Sequence, residues 1–218
     1  MKLDGRRMLV TGGSAGIGQA IAAAGLERGM KVVINGRDAA RLDVAAKALG
    51  IPGVAGDVGK PAEAQRIVAE SVSAMGGLDV LINNAGWGRR MPVAEIDAEL
   101  FHAMWETNVL GAALMAQAAL PHLDGGGDIV NVASTAGGRG YANGTAYCST
   151  KFALRGMTEC WQAELRPRDI RVICINPSEV QTGFGGRDPE RPKDPHKLIS
   201  EDIAQAVMAT LEMEPRGL

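Results

Sequence analysis

Residues 8–18 read Met-Leu-Val-Thr-Gly-Gly-Ser-Ala-Gly-Ile-Gly. An apolar run that predicts a β-strand therefore enters a glycine-rich turn, and the Ala-rich run that follows predicts a helix. Gly12 permits the sharp turn, and Gly16 and Gly18 let a helix, a strand and a ligand approach closely. Because the free N–H groups at the start of such a helix bind phosphate, the stretch predicts a dinucleotide site. The alternative is a glycine-rich turn that binds nothing.

Short β-rich runs and Ala-rich runs alternate outward from this turn. The predicted strands are 7–10, 31–35, 54–55, 78–83, 128–133 and 170–176. The predicted helices are 16–28, 38–49, 61–75, 96–122, 146–166 and 200–212. Strands that are apolar on both faces are typical of a parallel sheet covered by helices on each side. The sequence predicts one α/β domain over 1–218, a doubly wound parallel sheet of the Rossmann type, with a lid loop over 183–199.

Composition excludes several classes of function. A net charge of −2 and an aromatic content of 4% give neither the basic surface nor the stacking platforms that nucleic acids need. No apolar stretch is long enough to span a bilayer, so no membrane association is expected. Three widely spaced cysteines are typical of a reduced, cytoplasmic protein, and three histidines without ligand spacing predict no metal site.

The end of the second strand bears on which dinucleotide is bound. An NAD site usually places an acidic residue there to hold the ribose 2′-hydroxyl, whereas this chain has Gly36 followed by Arg37. A guanidinium pairs with a 2′-phosphate, which favours NADP over NAD. Arg37 has an alternative interpretation as an ordinary exposed charge, and Asp38 is interpreted as the N-cap of the next helix.

A second group of residues has the chemistry of a catalytic site. Tyr147 and Lys151 are four residues apart and share one helical face. A nearby ammonium favours the phenolate, so we expect Lys151 to lower the pKa of Tyr147 and produce a general acid–base. Ser134 follows the strand over 128–133, where ligands of open α/β sheets lie. Asn108 lies inside a predicted helix, an unusual place for a short polar side chain unless it binds something.

The chain resembles the short-chain dehydrogenase/reductase family over residues 6 to about 212, and within it the 3-oxoacyl-acyl-carrier-protein reductase-like members. The resemblance lies in TGGSAGIG at 11–18, Asp57-Val58, NNAG at 83–86, Asn108, Ser134, YCSTK at 147–151, and Pro177, Val180 and Thr182 within NPSEVQT. Three features differ from the family pattern, one of which is the short segment between Thr182 and Ser200. Ser178 replaces the usual glycine after Pro177, and the family continues past the last helix into one more strand.

The resemblance implies hydride transfer between a nicotinamide and a carbonyl or alcohol carbon. It implies that Tyr147 is the acid–base, that Lys151 lowers its pKa and binds the nicotinamide ribose, and that Ser134 orients the substrate oxygen. The resemblance also implies that Asn108 holds a water molecule that links Lys151 to solvent as a proton relay. The implied cofactor-binding residues are Gly12, Ser14, Gly16, Ile17, Gly18, Arg37, Asp57, Val58, Asn84, Ala85, Gly86, Tyr147, Lys151, Pro177, Val180 and Thr182.

The predicted function is an NADP-dependent reduction of a ketone or aldehyde, including 3-oxoacyl thioesters, or the reverse oxidation of an alcohol. Two alternatives remain at this point. One is an NAD-dependent alcohol dehydrogenase of the same family, and the other is a non-catalytic, nucleotide-binding regulatory protein. The resemblance implies a homotetramer or homodimer. Trp87, Arg89 and Arg90 follow NNAG and are in range of an anionic substrate arm, although a solvated loop is the simpler interpretation.

Overall fold

The computed structural model describes residues 1–123, 125–188, 192 and 194–214. One parallel sheet contains six strands in the order β3-β2-β1-β4-β5-β6. The strands are β1 (Arg7–Val10), β2 (Lys31–Gly36), β3 (Gly53–Ala55), β4 (Val80–Asn83), β5 (Gly127–Val132) and β6 (Ile170–Ile175). The predicted fold class is confirmed, and the predicted strand ends are correct to within two residues.

Helices cover both faces of the sheet. They are α1 (Gly16–Glu27), α2 (Ala39–Leu49), α3 (Pro61–Met75), α4 (Ala98–Trp105), α5 (Gly111–Ala119), α6 (Thr145–Leu165) and α7 (Ser200–Glu212). Buried residues of α1, α2 and α7 pack on one face, and those of α3, α5 and α6 pack on the other. Within the described residues, no helix has both the length and the apolar character needed to cross a membrane.

The alternation of side chains along β1 shows why the strands are apolar on both faces. Met8 and Val10 belong to the core under α1, whereas Leu9 belongs to the core under α3. All three side chains are fully buried. Successive residues of a strand point to opposite faces, so a strand covered on both sides needs an apolar residue at each position.

Strand order reverses next to β1, which pairs with β2 on one side and β4 on the other. In open α/β sheets a crevice forms at such a point, outside the carboxyl ends of the strands. The glycine turn follows β1, the Asn-Asn-Ala-Gly stretch follows β4, and Ser134 follows β5. The topology therefore brings the three motifs to one edge of the sheet.

The prediction of a single helix over 96–122 is wrong. The chain forms α4, a π-helical turn at Glu106–Leu110, α5, and a short 3-10 turn at Leu120–His122. The Asp97 carboxylate caps α4 by accepting from the Leu100 N–H at 3.0 Å, so the helix begins after residue 97. Short π-helical turns inside α-helices are frequent at functional sites. Asn108 is therefore in a π-helical turn, not in regular helix.

Two predictions fall partly outside the described residues. The loop over 183–199 begins with a 3-10 turn at Phe184–Gly186, and Gln181 Nε2 donates to the carbonyls of Asp194 and Lys197. Residues 189–191 and 193 are not described, so the lid stays a prediction. The continuation after α7 falls on residues 215–218, which also lie outside the described residues.

A buried carboxylate ties the strands together at the edge opposite the crevice. Asp128 at the start of β5 is fully buried and pairs with two arginines, Arg6 at 2.7 Å and Arg171. Arg171 also donates to the carbonyls of Leu211 and Met213 at the end of α7. One side chain therefore connects β5, β6 and the last helix.

Asp128→Ala should lower the free energy of unfolding by about 3–5 kcal/mol, because it leaves two arginines buried without their carboxylate. Urea unfolding of the cofactor-free protein measures the change. Asp43→Ala is the matched control, since it breaks the exposed Asp43–Lys47 pair and should cost less than about 0.5 kcal/mol. Equal losses in the two variants would contradict this interpretation of Asp128.

Candidate active site

The glycine turn after β1 requires glycine for two separate reasons. Gly12 and Gly16 have φ angles of 63° and 54°, in the left-handed region that side chains disfavour. Gly18 is limited by space, because a Cβ there would lie 2.4 Å from the Gly12 carbonyl oxygen. A Cβ on Gly12 would come within 2.9 Å of the Ala85 Cα. The turn therefore packs directly against the end of β4.

The start of α1 fits an anionic group. Ala15 is the N-cap and supplies no side-chain hydrogen bond, and the first turn contains no acidic residue. The N–H groups there lack a side-chain acceptor, which is the arrangement that binds phosphate. Ser14 lies beside Gly36, where a Cβ would approach its Oγ to 3.2 Å, and Ile17 packs on the core. The residues present therefore fit a dinucleotide pyrophosphate.

Thr11 joins this turn to the end of β4. Its hydroxyl accepts from the backbone N–H groups of Asn84 and Ala85, both at 3.0 Å. The Asn84 side chain donates back to the carbonyls of Thr11 and Gly12, at 2.9 and 3.2 Å. The amide of Asn84 therefore holds the two motifs together. Sequence reasoning missed this role of Thr11, although its place between the strand and the glycines was a usable signal.

The residues expected to hold the adenine follow β3. The Asp57 carboxylate accepts from the Gly59 N–H at 2.9 Å, and the backbone N–H of Asp57 donates to the Glu63 carboxylate at 2.7 Å. Val58 is buried. Arg37 is exposed at the end of β2, and within the described residues no hydrogen bond or ion pair involves its guanidinium. Both groups lie on the β2–β3 side of the crevice.

The segment after β6 lies across the crevice from the glycine turn. The carbonyl of Pro177 accepts from the Thr135 N–H at 2.9 Å and from the Ser134 hydroxyl at 3.4 Å. Val180 forms an isolated bridge with Leu198. The Thr182 side chain would contact a Cβ on Gly16 at 3.4 Å. The structure therefore brings the 177–182 segment, the Ser134 loop and the start of α1 together.

Lys151 is buried with its ammonium held by one backbone carbonyl. The side chain lies on α6, and Nζ donates to the Val132 oxygen at 2.9 Å. The same Nζ is 5.8 Å from the centre of the Tyr147 ring, one helical turn earlier. No carboxylate pairs with it among the described residues. Burial lowers the pKa of Lys151 to about 8.

The pKa of Tyr147 differs from the sequence-based expectation. Burial raises it to about 12, and the hydrogen bond from Ser134 works in the opposite direction. Lys151 is not one of the causes of the shift, although its Nζ is 5.8 Å from the centre of the Tyr147 ring. The expectation that Lys151 lowers this pKa is therefore not met in this structure, and Tyr147 is a protonated phenol at neutral pH. Ser134 is close enough to act on the pKa of Tyr147, so the structure brings these two predicted residues together.

Asn108 fixes the segment that lies over this pair. Its amide makes two hydrogen bonds with the backbone of Trp87, accepting from N at 3.0 Å and donating to O at 2.8 Å. It also donates to the Thr150 hydroxyl at 3.1 Å, which in turn donates to the Tyr147 carbonyl at 2.7 Å. A Cβ on Gly88 would lie 2.6 Å from the Tyr147 ring. The network therefore holds residues 86–88 against the catalytic helix.

Sequence reasoning assigned no function to Thr150 or Gly88, and for Phe184 it left open whether the residue lines a pocket or packs a core or subunit face. Thr150 is fully buried between Tyr147 and Lys151. The Phe184 ring lies 5.5 Å from that of Tyr147 at an angle of 58°. Gly88 and Phe184 therefore enclose the phenol. The threonine inside the quoted YCSTK stretch was a signal, but no pattern in the sequence indicated the other two contacts.

A model of the family described as short chain dehydrogenase matches residues 6–193. The chain belongs to the short-chain dehydrogenase family. An L-fucose dehydrogenase of Rattus norvegicus is 34% identical over 204 residues, which are 92% of this chain and 75% of that protein. The family predicted from the sequence and the enzyme class, an NAD(P)-dependent oxidoreductase, are confirmed.

Solved structures of this family superimpose closely on the chain. A short-chain dehydrogenase from Burkholderia cenocepacia in complex with NADP has a TM-score of 0.90 at 30% identity, covering 100% of this chain and 95% of that one. A 3-ketoacyl-(acyl-carrier-protein) reductase from Brucella melitensis complexed with NADH has a TM-score of 0.88 at 32% identity, covering 98% and 93%. These short-chain dehydrogenase structures contain different nicotinamide cofactors.

Lys151→Met should stabilise the cofactor-free protein at pH 7 by about 1–3 kcal/mol, because the buried charge costs about 3 kcal/mol and the lost bond to Val132 offsets part of the gain. The folded pKa is about 8 and the ordinary value is 10.5, so the unfolded chain binds more protons between them. Wild-type stability should therefore rise with pH in that window, and the advantage of the variant should shrink by pH 10.

Urea unfolding at pH 7 and pH 10 measures both effects. Lys47→Met is the control, because Lys47 is exposed on α2 and its loss should change stability by less than about 0.5 kcal/mol. A destabilised Lys151→Met protein at pH 7 would show that the ammonium is compensated in solution.

Proposed function

We propose that this protein is an NADP-dependent oxidoreductase that reduces a ketone or aldehyde to an alcohol. The observation that carries the proposal is the position of the Tyr147 and Ser134 hydroxyls. They are neighbours at the carboxyl ends of the strands, where Ser134 acts on the pKa of Tyr147, and a buried lysine lies one helical turn from Tyr147. Substrates of open α/β sheets bind at this edge. Two hydroxyls are the donors that one carbonyl oxygen needs.

The chain's own groups supply binding and orientation for the cofactor. The pyrophosphate would bind at the turn and the uncapped start of α1, and the Lys151 ammonium would bind ribose hydroxyls. We assign the residues named from the family resemblance to the same site, including Asp57 and Val58 for adenine and Val180 and Thr182 for the nicotinamide side. When bound, a nicotinamide supplies the hydride, and its chemistry is that of the cofactor.

Ser134 and Tyr147 act on the substrate oxygen. Ser134 donates a hydrogen bond that orients the carbonyl and stabilises the charge that develops on oxygen. Tyr147 then gives its phenolic proton to that oxygen. A pKa of about 12 in the cofactor-free protein keeps this proton on the phenol at neutral pH. Asn108 positions the segment above the phenol, and its role in a water relay from Lys151 stays a prediction.

The preference for NADP rests on the end of β2. Gly36 occupies the place of the usual acidic residue, and Arg37 follows it with a guanidinium that has no partner among the described residues. A free, exposed guanidinium at this position is available to pair with a 2′-phosphate. We further propose that the chain is one cytoplasmic domain carrying a lid over 183–199, and that it forms a homodimer or homotetramer.

Tyr147→Phe should lower kcat by about 100-fold or more and leave NADPH binding within about threefold, since it removes the proton donor and keeps the ring. NADPH absorbance at saturating substrate measures kcat, and quenching of protein fluorescence measures binding. Ser149→Ala removes a hydroxyl from the same helix, where it donates to the Ala146 carbonyl, and should reduce kcat far less. Near-normal turnover by Tyr147→Phe would remove this residue from its role.

Arg37→Ala should raise KM for NADPH by about 10- to 100-fold and change KM for NADH by less than threefold, because only the former has a 2′-phosphate. Initial rates with the two cofactors at fixed substrate measure this change. Arg41→Ala, on the exposed face of α2, is the control for removing a positive charge nearby. An unchanged NADPH preference in Arg37→Ala would refute the assignment.

A further inference from the structure

We propose that Arg90 and Tyr141 form a recognition site for a carboxylate on the substrate, so that the enzyme acts on oxo acids and the corresponding hydroxy acids. The inference rests on the proposed function, because it concerns the substrate of the same site. Two observations carry it: the place of the pair next to the catalytic phenol, and the absence of an acidic partner for Arg90 among the residues that the structure describes.

The segment over 88–91 connects the catalytic tyrosine to this pair. Gly88 lies against the Tyr147 ring, where even a Cβ would come within 2.6 Å. Two residues later, the Arg90 guanidinium carbon lies over the Tyr141 ring, 5.3 Å from its centre. Gly88 and Arg90 are therefore at most about 7 Å apart along the backbone. Tyr141 is also close enough to Tyr147 to act on its pKa, so a carboxylate bound by the Arg90–Tyr141 pair would lie near a carbonyl bound at Tyr147.

The Arg90 segment is anchored, so the guanidinium is not on a free loop. Met91 is buried with the rings of Trp87 and Tyr147 in one apolar cluster. Its N–H donates to the Asn143 carbonyl at 2.9 Å, which joins this segment to the loop that carries Tyr141. A guanidinium held in place loses less conformational entropy when it binds a ligand.

Arg90 lies over the Tyr141 ring, and its N–H groups are close enough to the Tyr141 hydroxyl to act on the pKa of that phenol. A guanidinium has five N–H donors, so this contact leaves others for a ligand. A carboxylate binds two guanidinium N–H groups in a bidentate manner. Burial raises the pKa of Tyr141, so its phenol stays protonated and is able to donate to the same anion. The pair therefore offers donors of two kinds.

The charges around Tyr141 are positive or already neutralised. Within the described residues no carboxylate pairs with Arg90, whereas Arg187, the other arginine that acts on Tyr141, pairs with Glu179 at 3.0 Å. Glu179 is also bound by Lys197 at 3.3 Å. Aspartate 188 is engaged in an interaction of its own. The charge of Arg90 is thus left for a ligand.

The test compares oxo acids with neutral molecules of the same shape. NADPH oxidation is followed with 4-oxopentanoate and 5-oxohexanoate and with their primary amides, for the wild type, Arg90→Gln, Arg90→Lys and Arg89→Gln. The readout is the ratio of kcat/KM for the acid to that for its amide. Arg89 is the matched control, because it is an exposed arginine of the same segment without a ring contact.

The wild type should prefer at least one acid over its amide by about tenfold or more, with the difference in KM. Arg90→Gln should bring that ratio to about one, Arg90→Lys should retain part of it, and Arg89→Gln should keep the wild-type ratio. NADPH binding by fluorescence confirms that each variant is folded.

Among variants and substrates that show turnover, three outcomes overturn the inference. They are a wild-type ratio of one or less, a ratio that survives in Arg90→Gln, and an equal loss in Arg89→Gln, which would indicate a general positive field. In each of these outcomes, NADPH oxidation with the amides would still support the proposed function, because it shows reduction of a carbonyl without a carboxylate. Absence of turnover on all four compounds with NADPH bound would refute the oxo-acid class, and the proposed function would then be decided by the Tyr147 experiment on other carbonyl compounds.

Discussion

A buried ammonium without a carboxylate is the constraint on which the site depends. Lys151 is 5% exposed, and its single described hydrogen bond goes to the carbonyl of Val132, the last residue of β5. That bond holds α6 against β5, the strand that leads to Ser134. Because burial lowers the pKa of Lys151, the fold keeps a destabilised charge at the place where an anionic, hydroxyl-rich cofactor would bind. Ionisable groups with perturbed pKa values are typical of functional sites.

Backbone, rather than side chains, forms much of the wall around this charge. A Cβ on Gly137 would lie 2.7 Å from the Lys151 carbonyl oxygen, and one on Gly86 would lie 3.7 Å from its Nζ. Gly88 approaches the Tyr147 ring even more closely. The loops after β4 and β5 therefore touch α6 without intervening side chains. This close packing explains how two loops far apart in the sequence enclose one helix face.

The sequence was sufficient for the fold because local pattern and tertiary structure agree. Strands such as β4 are buried at every position, which only a sheet covered on both sides explains. The glycine turn, the Asn-Asn-Ala-Gly stretch and Ser134 therefore lie at one edge of the sheet, because the carboxyl ends of parallel strands lie together. The sequence pattern did not predict the π-helical turn within 96–122, because the residues there are typical of a helix from end to end. That turn accompanies the hydrogen bonds between Asn108 and Trp87.

The pKa values were also beyond sequence reasoning. Spacing places Tyr147 and Lys151 on one face of α6, but it does not show which way each polar atom points. In the structure the ammonium faces Val132, and the phenol is buried between Gly88 and Phe184. Burial therefore decides both shifts, whereas proximity in sequence suggested a charge effect. Thr11 and Thr150 show the same limit, because each hydroxyl acts through partners that only the folded chain provides.

The titration of Lys151 itself tests the account most directly. NMR of protein labelled with 13C at the lysine Cε follows each ammonium with pH, and Lys151→Met identifies the signal. The account predicts a pKa of about 8 for this lysine in the cofactor-free protein. A value near 10.5, like that of an exposed lysine, would contradict the buried, uncompensated ammonium.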